Sequence, residues 1–295
     1  MKRKRKWTHP KRSSIGCISL PNTRSHTTQK GKPLRVATYN VHKCRGLDGR
    51  VRPDRILKVL QEIDADIVAL QEVVSAEGGA PEQDQARYLA EGLDAAMVLG
   101  ENRRHKGGAY GNVLLSRFPI HQADNYDLSV NGRERRGCLR ADLYPDDGAW
   151  LHIFNLHLGT SFFERRLQAR RLFEQHNLMD GRLPGKKIIL GDLNEWTKGL
   201  ASRMLQSRFE RVDLVTSPKR QTFPSFLPML HLDHIYFEAG LELRAARVHR
   251  SRTALVASDH LPLVAEFTVS DDAQWSADEA SSSCTSDPAI PADAS

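Results

Sequence analysis

Carboxylates, amides and histidines recur in this chain at the ends of apolar runs. The run Lys187-Ile-Ile-Leu-Gly-Asp-Leu-Asn-Glu195 closes on Asp192 and Asn194. A buried strand has no structural need to finish in a carboxylate and an amide, so their oxygens point to a use. Residues 34–40 finish in Tyr39-Asn40, residues 66–72 in Gln71-Glu72, and residues 150–157 in Asn155-Leu-His157. Leu232-Asp233-His234 and Ser258-Asp259-His260 lead into the last apolar stretches. One polar strand end is an accident, and six describe one site.

Asn40, Glu72, Asp192, Asn194, Asp233 and Asp259 are hard oxygen donors, suited to Mg²⁺ or Mn²⁺ and ill suited to a thiolate-seeking metal. Carboxylates gathered without a cation would repel one another. His157 and His260 add acid–base chemistry or positive charge near neutral pH, and an acid such as Asp233 beside His260 would fix its tautomer. Together these groups suit hydrolysis at phosphorus: a polarised phosphoryl oxygen, a carboxylate-oriented water attacking in line, and a cation against the growing negative charge. The chain has no phosphate-cradling G-x-x-x-x-G-K-[ST] loop, no G-x-G-x-x-G fingerprint, no G-x-S-x-G elbow and no catalytic-cysteine signature. Tyr110, Asn112, Arg136 and Arg165 are the candidates for substrate contact. Bland readings stand beside these: an Asx-turn for Asp192 and Asn194, and a solvated helix face for Arg165, Arg166, Arg170 and Arg171. His231-x-x-His234 hints at zinc but lacks a third ligand nearby.

Positioning these groups falls to elements that alternate at first. Strands are expected at 34–40 and 66–70, with helices at 53–63 and 83–92; Ile56, Leu57, Val59 and Leu60 mark the inner side of the first helix. Strands follow at 95–99, 110–116, 138–143 and 150–157, then a charged helix over 163–178. The strand 187–191 and three more near 232–237, 242–248 and 261–268 complete the pattern. Loops over 73–82, 101–109, 126–137 and 218–231 are expected near the cleft. The order suits two sheets packed face to face with helices outside, and ligands at such sheets gather beyond the carboxyl ends of strands.

Length allows one large domain, expected over residues 34–269. Residues 1–33 carry ten Lys/Arg and no acid, and residues 270–295 carry six acids and no Lys/Arg. These are read as a basic, unstructured arm and an acidic, unstructured tail. The middle is left with 33 bases against 30 acids, so the formal charge of +7 belongs largely to the arm. No run reaches the roughly 18–20 apolar residues of a membrane span. Four scattered cysteines without C-x-x-C spacing fit a reducing cytoplasm better than a disulfide framework. A cytoplasmic monomer is the expectation.

In order along the chain stand Thr-Tyr-Asn40, Leu-Gln-Glu72, Gly111-Asn-Val-Leu-Leu-Ser-Arg117, Asn155-Leu-His157-Leu, Gly-Asp192-Leu-Asn194, Leu-Asp233-His-Ile and Ser-Asp259-His260. Over about residues 34–269 the chain thereby resembles the endonuclease/exonuclease/phosphatase superfamily, the deoxyribonuclease I-like proteins. The resemblance implies an α/β fold, a four-layer α/β sandwich of two mostly antiparallel mixed sheets flanked by helices. It implies Mg²⁺ (or Mn²⁺) held by Asn40 and Glu72 with Asp259 nearby. Asp192 would orient or deprotonate water, Asn194 would hold water or phosphate, His260 paired with Asp233 would face the scissile phosphate, and His157 would be a phosphate ligand or acid. Departures from Trp-Asn-Val-Asn-Gly at the first motif, here Tyr-Asn-Val-His-Lys, put abasic-site repair in doubt. Compact bacterial members with Tyr-Asn-Val-His and Gly-Asp-Leu-Asn-Glu-Trp are the nearest in look. A phosphodiesterase acting on nucleic acid is the leading expectation. A lipid-headgroup phosphoesterase, sphingomyelinase-like or acting on phosphoinositides, is the alternative, and a non-catalytic scaffold on the same fold is the rival of another class.

Overall fold

The structure, a computed structural model, describes residues 17–18, 33–145, 150–175, 183–197, 199–212 and 221–269. Two sheets carry it. The seven-stranded sheet contains β1 (Cys17–Ile18), β2 (Leu34–Asn40), β3 (Ile67–Ser75), β4 (Ala96–His105), β5 (Gly108–Ser116), β12 (Leu241–Val248) and β13 (Leu263–Val269), in the order β1-β4-β5-β3-β2-β13-β12. The six-stranded sheet contains β6 (Ile120–Asp127), β7 (Gly137–Leu143), β8 (Leu151–His157), β9 (Lys186–Asp192), β10 (Glu210–Arg211) and β11 (Asp233–Phe237), in the order β10-β11-β9-β8-β7-β6. Each sheet has one parallel pair, β2 with β3 and β8 with β9. A parallel pair needs a crossover, supplied by α1 (Pro53–Ile63) in the first case and α3 (Phe162–Gln175) in the second. The four-layer sandwich expected from the sequence is the fold. No helix of the described residues is long and apolar enough to cross a membrane.

Two-residue alternation decides what faces the interior. On β8, Leu151 and Ile153 join the apolar cluster between the sheets, while Phe154 and Leu156 join the one beneath α3 and α4 (Leu200–Gln206). Asn155 and His157 share the parity of Ile153. On β9, Ile188 and Leu190 face inward and Ile189 outward, so Asp192 follows the inward set. On β11, Ile235 and Phe237 are inward and Tyr236 outward, which carries Asp233 inward too. Three of the polar strand ends are therefore delivered to one cleft by the same pattern that builds the core.

Polar bolts cross that interior. Asn155, fully buried, donates through Nδ2 to Leu70 O and Val113 O at 2.9 Å each, and its Oδ1 accepts from Gln71 Nε2 at 2.8 Å. Asn112, expected at the substrate, is also fully buried, and its Nδ2 donates to Gly137 O and Asn155 O, each at 3.1 Å. These amides join the two sheets. A buried polar group that lacks a partner costs about 1–3 kcal/mol, so the bonds made by Asn155 and by Asn112 Nδ2 also fix how one sheet sits on the other, while Asn112 Oδ1 and Gln71 Oε1 are buried without a partner.

Differences from the sequence reading have local causes. Strand β3 runs past Glu72 to Ser75, and β4 extends to His105, so residues expected as loop at 73–75 and 101–105 are strand. Strand β6 and helix α4 were not anticipated. The former is a polar edge strand, His121-Gln-Ala-Asp-Asn-Tyr126, without the alternation that marks a half-buried strand. Cys17–Ile18, inside the segment expected to be unstructured, pairs with Val98 and Met97 at the sheet edge. Residues 176–178 of the expected third helix, 218–220 of an expected loop, and nearly all of the arm and tail lie outside the described residues.

Candidate active site

Strand ends of both parallel pairs meet at one edge of the sandwich. Asp192 at the end of β9 is the hub. Its Oδ2 accepts from Asn40 Nδ2 at 3.0 Å and lies 3.7 Å from both His157 Nε2 and His260 Nε2. Its Oδ1 accepts from the Asn194 backbone N–H at 2.9 Å. That contact is the Asx-turn of the bland reading, with Asn194 in the left-handed region at φ 51°. The turn occupies one oxygen and leaves the other facing the cleft. Asn194 Nδ2 donates to Leu158 O at 2.9 Å, tying the ends of β8 and β9 together. Gly191 makes the approach possible: at φ 144°, a Cβ there would meet Leu156 O at 1.9 Å.

His260 and Asp233 form the tightest pair. His260 Nδ1 lies 2.9 Å from Asp233 Oδ2, both side chains are buried, and the Phe223 ring packs on the imidazole with centroids 5.0 Å apart. Burial alone would lower the pKa of His260, but the Asp233 and Asp192 carboxylates overcome it and raise it to about 10. Burial pushes the Asp192 carboxyl upward, and Asp233 adds to this against the pull of His260. A carboxylate so raised is a stronger base than one in water. His157 takes the opposite course: burial, reinforced by Arg136, lowers its pKa to about 4.

Across the cleft, Glu72 sits where the pairing of β3 with β5 slips between Leu70 and Val73. A bulge re-aims a side chain, and Glu72 adopts φ 59° to do so. Its carboxyl lies 4.0 Å from His157 Nε2 and 3.4 Å from Asn40 Nδ2. Burial favours the neutral acid, yet His157 and Lys43 hold the Glu72 carboxyl well below the usual carboxylate range. At neutral pH His157 is uncharged, so Lys43, with Nζ 2.9 Å from Oε2, is the persistent cation. The sequence reading missed Lys43. It lies on a turn, His42–Cys44, whose three residues all have positive φ, 46°, 59° and 54°. Left-handed backbone costs roughly 1–2 kcal/mol per non-glycine residue, and such strain gathers at functional sites. Asp259, half-exposed, lies 3.5 Å from His42 Nδ1 on the same rim.

Among the described residues, one group has ligand-type atoms all within 4.8 Å: Asp192, Asp233 and His260. A protonated imidazole has no lone pair to offer, so this trio reads as a hydrogen-bonded relay. Glu72 suits a hard cation better, being ionised, mostly buried but still open to solvent, and already balanced by an ammonium group. Asn40 turns its NH₂ toward Glu72 and Asp192, and its Oδ1 accepts from His42 N at 3.1 Å. The donor chemistry of Glu72, Asn40 and Asp259 fits Mg²⁺ or Mn²⁺.

The substrate candidates separate. Tyr110 is buried, its hydroxyl reaches the Glu72 side chain, and the Arg103 guanidinium stacks on its ring at 4.2 Å. Arg136 is buried beside His157, ion-paired with Glu134 at 3.0 Å, and its Nε and Nη1 have no hydrogen-bond partner. Arg165 is buried too, but its Nη1 donates to Gly159 O at 3.2 Å and Thr160 O at 2.5 Å. It holds the loop after His157 and lies over the Trp196 ring, within electrostatic reach of Asp192, and its Nε has no hydrogen-bond partner.

The family model described as "Endonuclease/Exonuclease/phosphatase family" matches residues 37–260, a span that holds every strand end of the site. The chain belongs to the endonuclease/exonuclease/phosphatase family. The protein YbhP of Escherichia coli K12 is 32% identical over 248 residues, covering 79% of this chain and 96% of YbhP. A mannosyl-6-phosphatase of Bacteroides thetaiotaomicron superposes with TM-score 0.63 at 21% identity, over 80% of this chain and 99% of that one. TDP2 of Caenorhabditis elegans does so with TM-score 0.59 at 17% identity, over 81% and 75%. Membership supports a phosphoester hydrolase in general, and the two solved structures share the fold.

Proposed function

We propose that this protein is a divalent-cation-dependent phosphodiesterase that hydrolyses its substrate by in-line attack of water, with nucleic acid as the leading substrate class. The observation that carries the reading is one carboxylate, Asp192, raised in pKa and standing 3.7 Å from an imidazolium held charged by Asp233. Asp192 accepts the proton of the attacking water, and Asn40 and Asn194 hold the carboxylate in line. His260⁺ lies against the phosphoryl oxygens as they gain charge. His157, neutral at pH 7, is free to hydrogen-bond to the phosphate or the departing oxygen. Mg²⁺ or Mn²⁺, held by Glu72 and Asn40 with Asp259 at the rim, would polarise a phosphoryl oxygen when bound. A cytoplasmic monomer remains the reading of its state and place. A mannosyl-6-phosphatase among the fold neighbours agrees with phosphoester chemistry.

One observation favours the lipid-headgroup reading as a second. Phe226, Leu227 and Met229 are 65%, 60% and 66% exposed on the loop whose Phe223 packs on His260. An apolar rim so placed suits an acyl surface beside the chemistry. The test is Mg²⁺-dependent turnover of bis-p-nitrophenyl phosphate, plasmid DNA and a phospholipid panel by wild type and His260→Ala. Cleavage of one class by wild type alone supports the site and names the substrate. Equal cleavage by both proteins overturns the mechanism, and Mg²⁺ binding without any cleavage favours a scaffold.

A further inference from the structure

Large apolar side chains left in solvent are not spread evenly over this protein. Leu47 and Val51 stand on the turn between β2 and α1, Val256 on the short helix Ala254–Ala257 before β13, and Phe226, Leu227 and Met229 on the loop before β11. Phe162, Phe163 and Leu167 stand on the first turns of α3 after β8, and Trp196 follows β9. Each of these segments begins or ends at the edge of the sandwich where Asp192 and His260 sit. Among the described residues, the other large apolar side chain so exposed is Tyr144, after β7 at the opposite end.

Contacts join the segments into one strip. The Leu47 N–H donates to Val256 O at 3.1 Å, and Ser225 Oγ donates to Leu255 O at 3.1 Å, which ties the β2 turn, the short helix and the loop before β11 together. Met229 and Trp196 both line a cavity of about 360 Å³, so the strip continues to the end of β9. Arg165 of α3 lies over the Trp196 ring at 5.6 Å, and the Phe162 and Phe163 rings pack edge to face with centroids 5.6 Å apart. Arginines are interspersed with the apolar groups. Arg45 and Arg50 flank Leu47, Arg166 and Arg170 flank Leu167, and Arg250 and Arg252 precede Val256, all of them exposed. The exposed acid within these segments is Asp48, and it is paired with Arg55 at 2.8 Å.

We propose that this edge docks on an anionic phospholipid surface, with the apolar side chains entering the headgroup layer, the arginines meeting lipid phosphates, and the cleft facing the bilayer. A bilayer takes up separate protruding side chains without matching their shape, and it rewards apolar burial and basic charge together. The other occupants fit less well. A second copy joined face to face would set arginine against arginine. Nucleic acid would use the arginines but leave Leu47, Leu227 and Met229 in water. The docking concerns where the protein sits, so it goes beyond the lipid-headgroup reading, which concerns what enters the site, and it holds whichever phosphoester is cleaved.

Co-sedimentation of the full chain with vesicles tests the face. Vesicles of phosphatidylcholine alone are compared with vesicles of phosphatidylcholine and phosphatidylglycerol in equal parts. Wild type should bind the mixed vesicles about tenfold more tightly or better, and less so as salt is raised. Leu227→Ser and Phe163→Ser, on separate loops, should each weaken that binding about tenfold. Tyr144→Ser at the far end should leave it unchanged. Arg250→Gln with Arg252→Gln should reduce the preference for the mixed vesicles. Leu227 and Phe163 are exposed, so the melting temperature should hold, and if one variant fails to fold the other decides. Binding to neither vesicle overturns the docking. Binding that survives both apolar substitutions overturns it too, and assigns the attraction to the basic residues 1–33. A wild-type dimer that dissociates on Leu227→Ser gives the face to a second copy instead. Hydrolysis of bis-p-nitrophenyl phosphate by wild type stands apart from all of these. Docking without turnover leaves the face and removes the phosphoesterase, and turnover without docking does the reverse.

Discussion

Two histidines flank Asp192 at the same 3.7 Å, and the regions around them drive them to opposite charge states. Beyond His260 the neighbouring strand β11 begins with Asp233, 2.9 Å from Nδ1. Beyond His157 the neighbouring strand β7 is preceded by Arg136. Both imidazoles are buried, which lowers the pKa of each. A carboxylate reverses that for His260, to about 10, and an arginine deepens it for His157, to about 4. A charged residue on an adjacent strand thus adds to what burial does to His157 and, with Asp192, reverses it for His260. Between those limits the carboxylate has an imidazolium on one side and an imidazole on the other. In the proposed mechanism water would lose its proton to Asp192 while positive charge stays fixed against the phosphate.

The linkage follows from the same contrast. His260 is raised above its ordinary 6.5, so its contribution to stability is fully present below pH 6.5 and is lost as pH rises through about 10. His157 is depressed, so the unfolded chain binds more protons between about 4 and 6.5. Its contribution turns against the folded state as pH falls through that window. Activity should plateau between these two limbs.

The largest break comes from the shared carboxylate. Asp192→Asn should lower kcat by at least about 10³-fold, because both halves of the site lose their common partner and the base is gone. The melting temperature should hold or rise, since a buried carboxyl with raised pKa leaves with it; retained turnover would show that another group takes the proton. Next is His260→Gln, which keeps a donor near Asp233 but removes the charge. A loss of about 10²–10³-fold in kcat is expected, of the size seen when one transition-state donor is removed. A loss appearing in KM alone would place His260 in ground-state binding.

How much of this contrast was legible in the sequence is set by what the signals were. The polar strand ends, Asn40, Glu72, His157, Asp192 and Asp233, were visible because carboxylates and amides interrupt apolar alternation. The pairing of Asp233 with His260 was also within reach, being a matter of which residue types need each other. Lys43 gave no such signal, for its role depends on three successive left-handed residues that no spacing announces. Asn112 and Arg165 show a different ambiguity. An amide beside an apolar strand and an arginine after a histidine motif look the same whether they meet substrate or backbone, and here each meets backbone carbonyls. Strand β6 was lost because an edge strand with polar residues on both faces has no hydrophobic period.

A finer cut at the contrast is Asp233→Asn. The amide can still bond to His260 Nδ1 but no longer holds the ring charged. Removal of such a supporting carboxylate costs about 10–100-fold. The alkaline limb of the pH–rate profile should move down from about 10 toward the ordinary histidine range, which a purely structural role for Asp233 would not produce. An unmoved limb would assign the raised pKa to Asp192 alone.

His157→Gln is the smallest change and the most informative about asymmetry. A neutral amide replaces a ring that is already neutral at pH 7, so the charge balance around Asp192 and Glu72 is preserved there. If His157 only hydrogen-bonds to phosphate, kcat should fall by about tenfold, near the loss of a single hydrogen bond. The alkaline limb, which belongs to His260, should stay in place. The acidic limb near pH 4 should change shape, because below that value His157 would add a second positive charge beside Arg136. A fall as large as that of His260→Gln, with loss of the alkaline limb, would mean that the two histidines titrate as one unit and that the neighbouring strands do not set them apart.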